Sequence, residues 1–293
     1  MIDTFLRYIQ YERRYSDHTV SSYKTDLIQF QVFLSSSSEV LSAKDAQYNH
    51  IRSWIISLIE DGISPISVNR KIASLKSYYK FLLKREEIVI NPTQRLQPLK
   101  SGRKLPQFIQ EQEVERLLDH HHFPDSFRGK RDQLILELLY GTGMRRAELI
   151  GLLEADVNLI KEQIKVLGKR NKERIIPLSK SLVALISDYV QMKSKEFPEL
   201  DTKALLVTDK GVACYPMFVY RKVVEYLGQY VSLEKRSPHI LRHTFATHIL
   251  NKGADLNAVK DLLGHSSLAA TQVYTHNSLE KLKRVFEQAH PKA

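Results

Sequence analysis

The segment between residues 91 and 106 interrupts the regular apolar patterns of this 293-residue chain. It contains three prolines, one glycine and no acidic residue. Neither a helix nor a central strand accommodates prolines at this spacing, because proline lacks a backbone N–H and fixes φ. We therefore predict an extended, cationic linker over 91–106 that joins a domain at 1–90 to a domain at 107–293. A surface loop is the alternative.

Apolar residues upstream of the linker recur at helical spacing in four stretches. The last stretch follows Ser64-Pro65, a pair that is typical of a helix start. The pattern predicts an all-helical bundle of four helices. The apolar residues that mark them are Phe5, Leu6 and Ile9; Tyr23, Leu27, Phe30 and Leu34; Ile51, Trp54, Ile55 and Leu58; and Val68, Ile72, Leu75, Tyr79 and Leu82.

The chain downstream of the linker mixes helical and strand patterns. Alternating or β-branched residues over 163–167 and 174–178 flank Gly168-Lys169-Arg170-Asn171-Lys172, which predicts a β-hairpin with a basic tip. We expect a mainly α chain with a small antiparallel β-sheet, an α+β fold. The helices predicted for this part cover residues 112–119, 130–140, 145–153, 179–195, 216–230, 239–251 and 255–263.

The charge of the chain is strongly basic. Lys and Arg number 44 against 33 Asp and Glu, which gives a formal charge of +11. An excess on both sides of the linker favours a polyanionic partner, with nucleic acid the first candidate and a basic solvated surface the alternative. The single cysteine, Cys214, excludes a disulfide framework and a cysteine-based zinc module. No leader pattern and no apolar stretch of roughly 18 residues occurs, so we expect a cytoplasmic protein without membrane insertion.

Arg145 opens a predicted helix two residues after the end of the turn Gly141-Thr142-Gly143. A cation is unfavourable at this end of a helix, because the helix dipole is positive there. Two partners would compensate: a phosphate group, or the carboxylate of Glu148 one turn further along. The sequence leaves both open.

A second group of polar residues lies between residues 237 and 275. His239 and Arg242 are three apart at the start of a predicted helix, and they therefore share a face. His265 follows a helix stop, and Tyr274 comes nine residues later. Each of these residues, taken alone, more often packs, caps a helix or forms a salt bridge.

The order of these residues resembles the signature of the tyrosine recombinases, a phage-integrase-like family, and is closest to its Xer-type subgroup. The resemblance covers nearly the whole chain, including the helical N-terminal half. It implies a four-helix SAM-like DNA-binding bundle followed by a tyrosine-recombinase catalytic domain. The motifs are Thr142-Gly143-Met144-Arg145, Gly168-Lys169, His239-Ile240-Leu241-Arg242, Leu263-Gly264-His265 and Val273-Tyr274.

Carried over by position, the resemblance implies six active-site residues. Tyr274 is the nucleophile, and the others are Arg145, Lys169, His239, Arg242 and His265. Arg170 stands where the family often has a glycine, which leaves Lys172 as an alternative to Lys169. Arg146 is likewise the alternative to Arg145.

These residue types suit attack on a DNA phosphodiester without a metal or other cofactor and without ATP. Two guanidiniums can bind the negative charge that develops on the non-bridging oxygens, and they keep their protons. Tyr274 needs a base to accept its phenolic proton, and His239 is the candidate. Lys169 is the candidate acid for the 5′-oxygen, and the product is a 3′-phosphotyrosyl enzyme.

Other classes of protein compete with this interpretation. His239 and His243 are four apart, but a zinc hydrolase of the helix type has a glutamate after the first histidine, where Ile240 stands. The run of histidines at 120–122 is predicted to lie on the surface. A mobile-element integrase with the same chemistry, a type IB topoisomerase and a non-enzymatic DNA-binding protein are the remaining alternatives.

The resemblance also implies partners. Xer-type recombinases act as tetramers on two duplexes, pass through a Holliday junction and resolve chromosome dimers at a short, nearly palindromic site. We expect a homo- or hetero-tetramer with the same chain or a paralogous recombinase, double-stranded DNA as substrate, and a septal DNA translocase as a further partner. The tail after Tyr274 is expected to dock into a neighbouring protomer, with packing on its own domain as the alternative. Its apolar residues are Leu279, Leu282, Val285 and Phe286.

Overall fold

The computed structural model describes residues 1–37, 42–100, 102, 107–168, 172–264 and 289. The chain divides into two compact units, Met1–Lys104 and Leu105–Ala293. No helix within the described ranges is long and apolar enough to cross a membrane.

The first unit is a helical bundle. Its helices are α1 (Ile2–Arg7, continued by a π-helical turn over Tyr8–Glu12), α2 (Asp17–Ser37), α3 (Tyr48–Glu60) and α4 (Pro65–Lys84). The prediction of four helices is confirmed, including the start of α4, where the Ser64 hydroxyl accepts a hydrogen bond from the Ser67 backbone N–H. The predicted apolar residues form the core, with Phe30 and Leu75 fully buried.

The chain after α4 folds back on the first unit. Leu96 is buried in the core of this unit. The side chain of Asn69 accepts a hydrogen bond from the Leu99 backbone N–H at 2.7 Å and donates one to the Leu99 carbonyl at 2.9 Å. The prediction of an extended segment is therefore wrong for residues 92–95, which form a turn, and Leu96 and Leu99 are packed on the first unit rather than solvated.

The second unit is also mainly helical. Two helices, α6 and α10, form its centre, and most residues of α6 are buried. The helices are α5 (Glu111–Glu115, continued by a π-helical turn over Arg116–His120), α6 (Phe127–Thr142), α7 (Arg146–Ile150), α8 (Lys180–Glu196), α9 (Pro216–Tyr230), α10 (Pro238–Asn251) and α11 (Leu256–Leu263).

A small antiparallel sheet lies beside these helices. The predicted hairpin is confirmed as β2 (Gln163–Leu167) and β3 (Glu173–Pro177), with Leu167 opposite Glu173. A short strand β1 (Val157–Asn158) pairs with the other edge of β2, and its two residues are too few to give a sequence pattern. Residues 169–171 at the tip lie outside the described residues.

The end of α6 brings the turn before Arg145 close to α10. Gly143 ends the helix in the left-handed region, at φ +61°. A Cβ atom there would lie 2.4 Å from Cδ1 of Phe245 in α10. Only glycine fits this close approach, which places the turn against the helix that carries His239 and Arg242.

Candidate active site

Arg145 is the residue that precedes α7, and Glu148 compensates its position there. The Arg145 backbone N–H donates to one oxygen of the Glu148 carboxylate at 2.7 Å, and its guanidinium Nη1 donates to the other at 2.7 Å. Nη2 reaches the Gly264 carbonyl at 3.3 Å. The Arg145 side chain remains 32% exposed, so pairing with Glu148 leaves its guanidinium accessible to an anion.

Arg174 on β3 is a second arginine on the same carboxylate. Its Nη1 and Nη2 donate to the two oxygens of Glu148 at 3.0 and 2.7 Å, and its Nε donates to the Leu262 carbonyl at 2.9 Å. Sequence reasoning missed this residue as part of the site. Its signal is the strand alternation, since Arg174 occupies an inward position in register with buried Ile176.

Arg242 of α10 is the third arginine and is nearly buried. Its guanidinium donates to the Gly143 carbonyl at 2.5 Å and to the Leu263 carbonyl at 2.6 Å. Its Nη1 lies 4.0 Å from the nearer Glu148 oxygen. Burial, followed by the positive charge of Arg145, lowers the pKa of Arg242 to about 10, although Glu148 acts in the opposite direction.

Glu148 is ionised at the centre of this group. Burial alone would raise its pKa, but hydrogen bonds and charge from Arg174 and Arg145 outweigh burial and hold the pKa below its ordinary value. We call Arg145, Arg174, Arg242 and Glu148 the arginine cluster. Among the described residues, three guanidiniums share this one carboxylate, so the cluster has an excess of positive charge.

The structure shows where Arg146 and Lys172, the alternatives to Arg145 and Lys169, lie. Arg146 points to α9, where its Nη1 donates to the Pro216 carbonyl at 3.3 Å, while Arg145 lies with Arg242. Lys172 is exposed, and its carbonyl accepts the Gly168 backbone N–H at 2.8 Å at the end of the hairpin. Lys169 itself lies outside the described residues.

The other predicted site residues are placed only in part. His239 is exposed in the first turn of α10, three residues before Arg242. His265, Tyr274 and the expected exchange tail lie outside the described residues. The structure therefore brings together Arg145, from the start of α7, and Arg242, from α10. It also places Gly264, the residue before His265, beside them.

Histidines elsewhere have structural contacts. The run at 120–122, predicted to lie on the surface, is exposed at His120 and His122 and half-buried at His121. The Nδ1 atom of His121 lies 2.6 Å from the Tyr230 hydroxyl, and its ring packs on Phe123. His248 is buried between the Tyr140 hydroxyl and the Ile109 carbonyl. In the described part of the chain, no three His, Cys, Asp or Glu residues are grouped to hold a metal ion.

This arrangement can bind a phosphate group. Guanidiniums donate paired hydrogen bonds to phosphate oxygens and stay protonated at neutral pH, even with the lowered pKa of Arg242. A cationic site of low exposure also stabilises charge more strongly than a site in bulk water.

Two family models match the chain. The model of the phage integrase family matches residues 107–281, and the model of the phage integrase N-terminal SAM-like domain matches residues 2–86. The second unit thus contains the integrase match, and the helical bundle contains the SAM-like match.

Curated relatives are similar over nearly the full length. Tyrosine recombinase XerC of Chlorobaculum tepidum is 38% identical over 314 aligned residues, which cover 99% of this chain and 94% of that protein. Tyrosine recombinase XerC of Staphylococcus haemolyticus is 37% identical over 296 residues, which cover 99% and 96%.

Solved structures share the fold. A XerH site-specific recombinase bound to its palindromic difH substrate, in a post-cleavage complex, has a TM-score of 0.73 at 22% identity and covers 97% of this chain and 83% of its own. A lambda integrase tetramer bound to a Holliday junction has a TM-score of 0.66 at 16% identity, with 92% and 74% covered. The family models and the XerC relatives explain why the chain has an arginine cluster suited to phosphate. The chain is a tyrosine recombinase of the phage integrase family, an enzyme that cleaves and rejoins DNA strands.

Proposed function

We propose that this chain is a Xer-type site-specific recombinase of the cytoplasm that resolves chromosome dimers at a short, nearly palindromic site during chromosome segregation. The observation that carries the proposal is the arginine cluster, which contains Arg145 and Arg242. Gly168 and Gly264, the residues that precede Lys169 and His265 in the sequence, lie beside it. Identity of 37–38% to XerC proteins over nearly the whole chain supports a chromosomal role over that of a mobile-element integrase.

The chemistry follows from the charge of the cluster. Arg145 and Arg242 bind the non-bridging oxygens of the scissile phosphate, and His265 adds a donor. The phenolic oxygen of Tyr274 forms the new bond to phosphorus as its proton passes to His239.

The step is completed on the leaving side. The bond from phosphorus to the 5′-oxygen breaks, and Lys169 gives that oxygen a proton. The 3′-phosphotyrosyl bond conserves the phosphodiester, so the 5′-hydroxyl of a second strand reverses the reaction without ATP. Two such exchanges form and resolve a Holliday junction.

The proposed assembly is a tetramer on two duplexes, formed by this chain alone or with a paralogous recombinase and dependent on a septal DNA translocase. Binding is expected to depend on salt, because many Lys and Arg residues neutralise phosphates and release counterions. Sequence choice comes from base contacts that a small part of the surface makes.

The first experiment tests the covalent step. Genomic fragments that the protein retains supply a site, which is then made as a duplex with a nick beside the scissile phosphate so that rejoining is blocked. We expect a covalent protein–DNA adduct that resists denaturation, is unaffected by EDTA and is lost in Tyr274→Phe. The matched control is Tyr220→Phe, a substitution of another tyrosine on the exposed side of α9, which keeps the adduct. An adduct that persists in Tyr274→Phe would contradict the proposal.

A second experiment tests the biological role. A plasmid with two direct copies of the selected site is incubated with the protein, with and without a paralogous recombinase from the same genome. We expect deletion of the intervening DNA and four-way junctions as intermediates. Cleavage without exchange under both conditions would contradict the recombinase assignment and favour a topoisomerase-like activity.

A further inference from the structure

Arg174 is the most fully engaged member of the arginine cluster. Its side chain is 4% exposed, and each of its three guanidinium nitrogens donates to a protein acceptor. A group held in this way is not presented to DNA. Its contribution to the reaction must pass through the residues that it touches.

These contacts lead to the proposed catalytic residues. Glu148 receives Arg174 and Arg145 on the same two oxygens. Gly168, which precedes Lys169, is so close that a Cβ atom on it would lie 3.4 Å from Nη1 of Arg174. Gly264, which precedes His265, would place a Cβ atom 3.2 Å from the same nitrogen.

We infer that Arg174 is a positioning residue for DNA cleavage, which holds the tip end of the hairpin at Gly168, the end of α11 and the Glu148 carboxylate in one arrangement. The inference rests on the proposed function, since the groups that it positions are the proposed phosphate-binding and proton-donating residues. It assigns a mechanistic role to a buried strand residue that makes no contact with the substrate.

Charge gives the inference its physical basis. The two hydrogen bonds from Arg174 engage both oxygens of Glu148. Without these two hydrogen bonds, the Glu148 carboxylate would attract the Arg145 guanidinium more strongly. It would also attract the Arg242 guanidinium, which lies 4.0 Å away. Both guanidiniums would then have less positive charge to offer a phosphate. Lysine cannot replace this arrangement, because one ammonium cannot donate to two carboxylate oxygens in a planar fork while it also reaches the Leu262 carbonyl.

The test compares Arg174→Lys with Arg131→Lys. Arg131 is an equally buried, carboxylate-paired arginine of the same unit, bound to Asp132 and Asp209, and we assign it no part in the reaction. Single-turnover adduct formation is measured on the nicked duplex with an ordinary scissile phosphate and with a neutral methylphosphonate in its place. The neutral group needs less cationic stabilisation, so a defect in the arginine cluster should matter less on it.

We expect Arg174→Lys to form the adduct about 10- to 100-fold more slowly than the wild type on phosphate, with DNA binding retained. On methylphosphonate, the ratio of wild-type to variant rate should be about tenfold smaller. Arg131→Lys should show no such dependence on the phosphate charge, even where it lowers thermal stability. Because the two residues act through one carboxylate, Glu148→Gln combined with Arg174→Lys should slow cleavage by less than the product of the single effects.

Four outcomes would count against the inference. A wild-type rate in Arg174→Lys overturns it, and so does a defect of equal size on both substrates, which is the result of a purely structural role. If Arg174→Lys does not fold, Gly264→Ala, whose Cβ atom would displace Arg174 without removing it, provides the same comparison of substrates, and an equal defect there overturns it. Absence of an adduct with the wild-type chain would overturn the proposed function together with this inference, whereas an adduct with an unaffected variant overturns the inference alone.

Discussion

Two largely buried charge clusters in the second unit combine basic and acidic side chains in different proportions. In the arginine cluster, three guanidiniums share the Glu148 carboxylate among the described residues. In the other, which we call the balanced cluster, Arg131 and Lys222 face Asp132 and Asp209. The Asp132 carboxylate accepts hydrogen bonds from Arg131 at 2.8 and 2.9 Å, and Lys222 lies 2.9 Å away.

This difference in charge balance indicates that the balanced cluster stabilises the fold, whereas the arginine cluster can bind an anion. In the balanced cluster each buried charge is paired with an opposite charge, and the aromatic ring of Phe218 lies 4.7 Å from the Arg131 guanidinium. This cluster therefore has no excess charge among the described residues with which to bind an anion. In the arginine cluster, burial and like charge act against Arg242, which is why its pKa falls to about 10. An anion brought between these guanidiniums relieves that repulsion.

The largest effect is expected for Arg145→Ala. The substitution removes a proposed hydrogen-bond donor to the scissile phosphate from a partly exposed position, so the unit should still fold. Adduct formation on the nicked duplex should fall about a thousandfold, while the dissociation constant for DNA changes much less, because binding is spread over many contacts. A rate close to that of the wild type would remove the proposed distinction between the clusters.

A smaller effect, on stability alone, is expected for Asp132→Asn. The substitution leaves Arg131 and Lys222 without a buried counter-charge, and the free energy of unfolding should fall by about 3 kcal/mol. Urea titration measures this loss. The cleavage rate of the folded variant should match that of the wild type, and a specific loss of cleavage would mean that the balanced cluster also takes part in the reaction.

Gly264→Ala tests the packing of Arg174 against the end of α11. Gly264 has φ +63° and lies against Arg174, whereas Gly253 has φ +85° and open space around it. Both alanine variants acquire backbone strain of about 1 kcal/mol, but only Gly264→Ala must also displace the arginine, and we expect a total of about 2 kcal/mol. Equal melting temperatures for the two variants would show that the Arg174 contact has no cost.

The smallest effect concerns pH. The folded-state pKa of Glu148 lies below its ordinary value, so its ionised form contributes stability above that value and the contribution is lost as pH falls through the folded pKa. The difference in unfolding free energy between the wild type and Glu148→Gln should therefore shrink between about pH 6 and about pH 3, by at most about 1.4 kcal/mol per pH unit. A difference that stays constant over this range would indicate that folding does not lower the pKa of Glu148.

Local sequence patterns were sufficient for much of the fold and for part of the site. Helical spacing predicted α2 and α4, and alternation predicted the hairpin, because each pattern reflects the burial of one face. The alternative partner considered for Arg145, Glu148, is present because a first-turn carboxylate three residues away lies within reach of the helix start.

The contacts that local patterns missed depend on tertiary packing. Arg174 meets Glu148 across 26 residues of chain, and only strand register shows that its side chain points inward. Prolines predicted an extended segment over 91–106 but could not show that Asn69 fixes the backbone of Leu99 on the first unit. Spacing cannot give such contacts, because they join elements that are distant in sequence.

The sequence separations within the arginine cluster have a consequence for folding. Arg242 meets Gly143 across 99 residues, Arg174 meets Leu262 across 88, and Arg145 meets Gly264 across 119. Contacts of such length close large loops and form only when most of the unit has folded. A partly folded or truncated chain therefore keeps many of its basic residues, and with them an affinity for DNA, before it can assemble the groups that cut a strand. Competence to cleave DNA depends on completion of the fold.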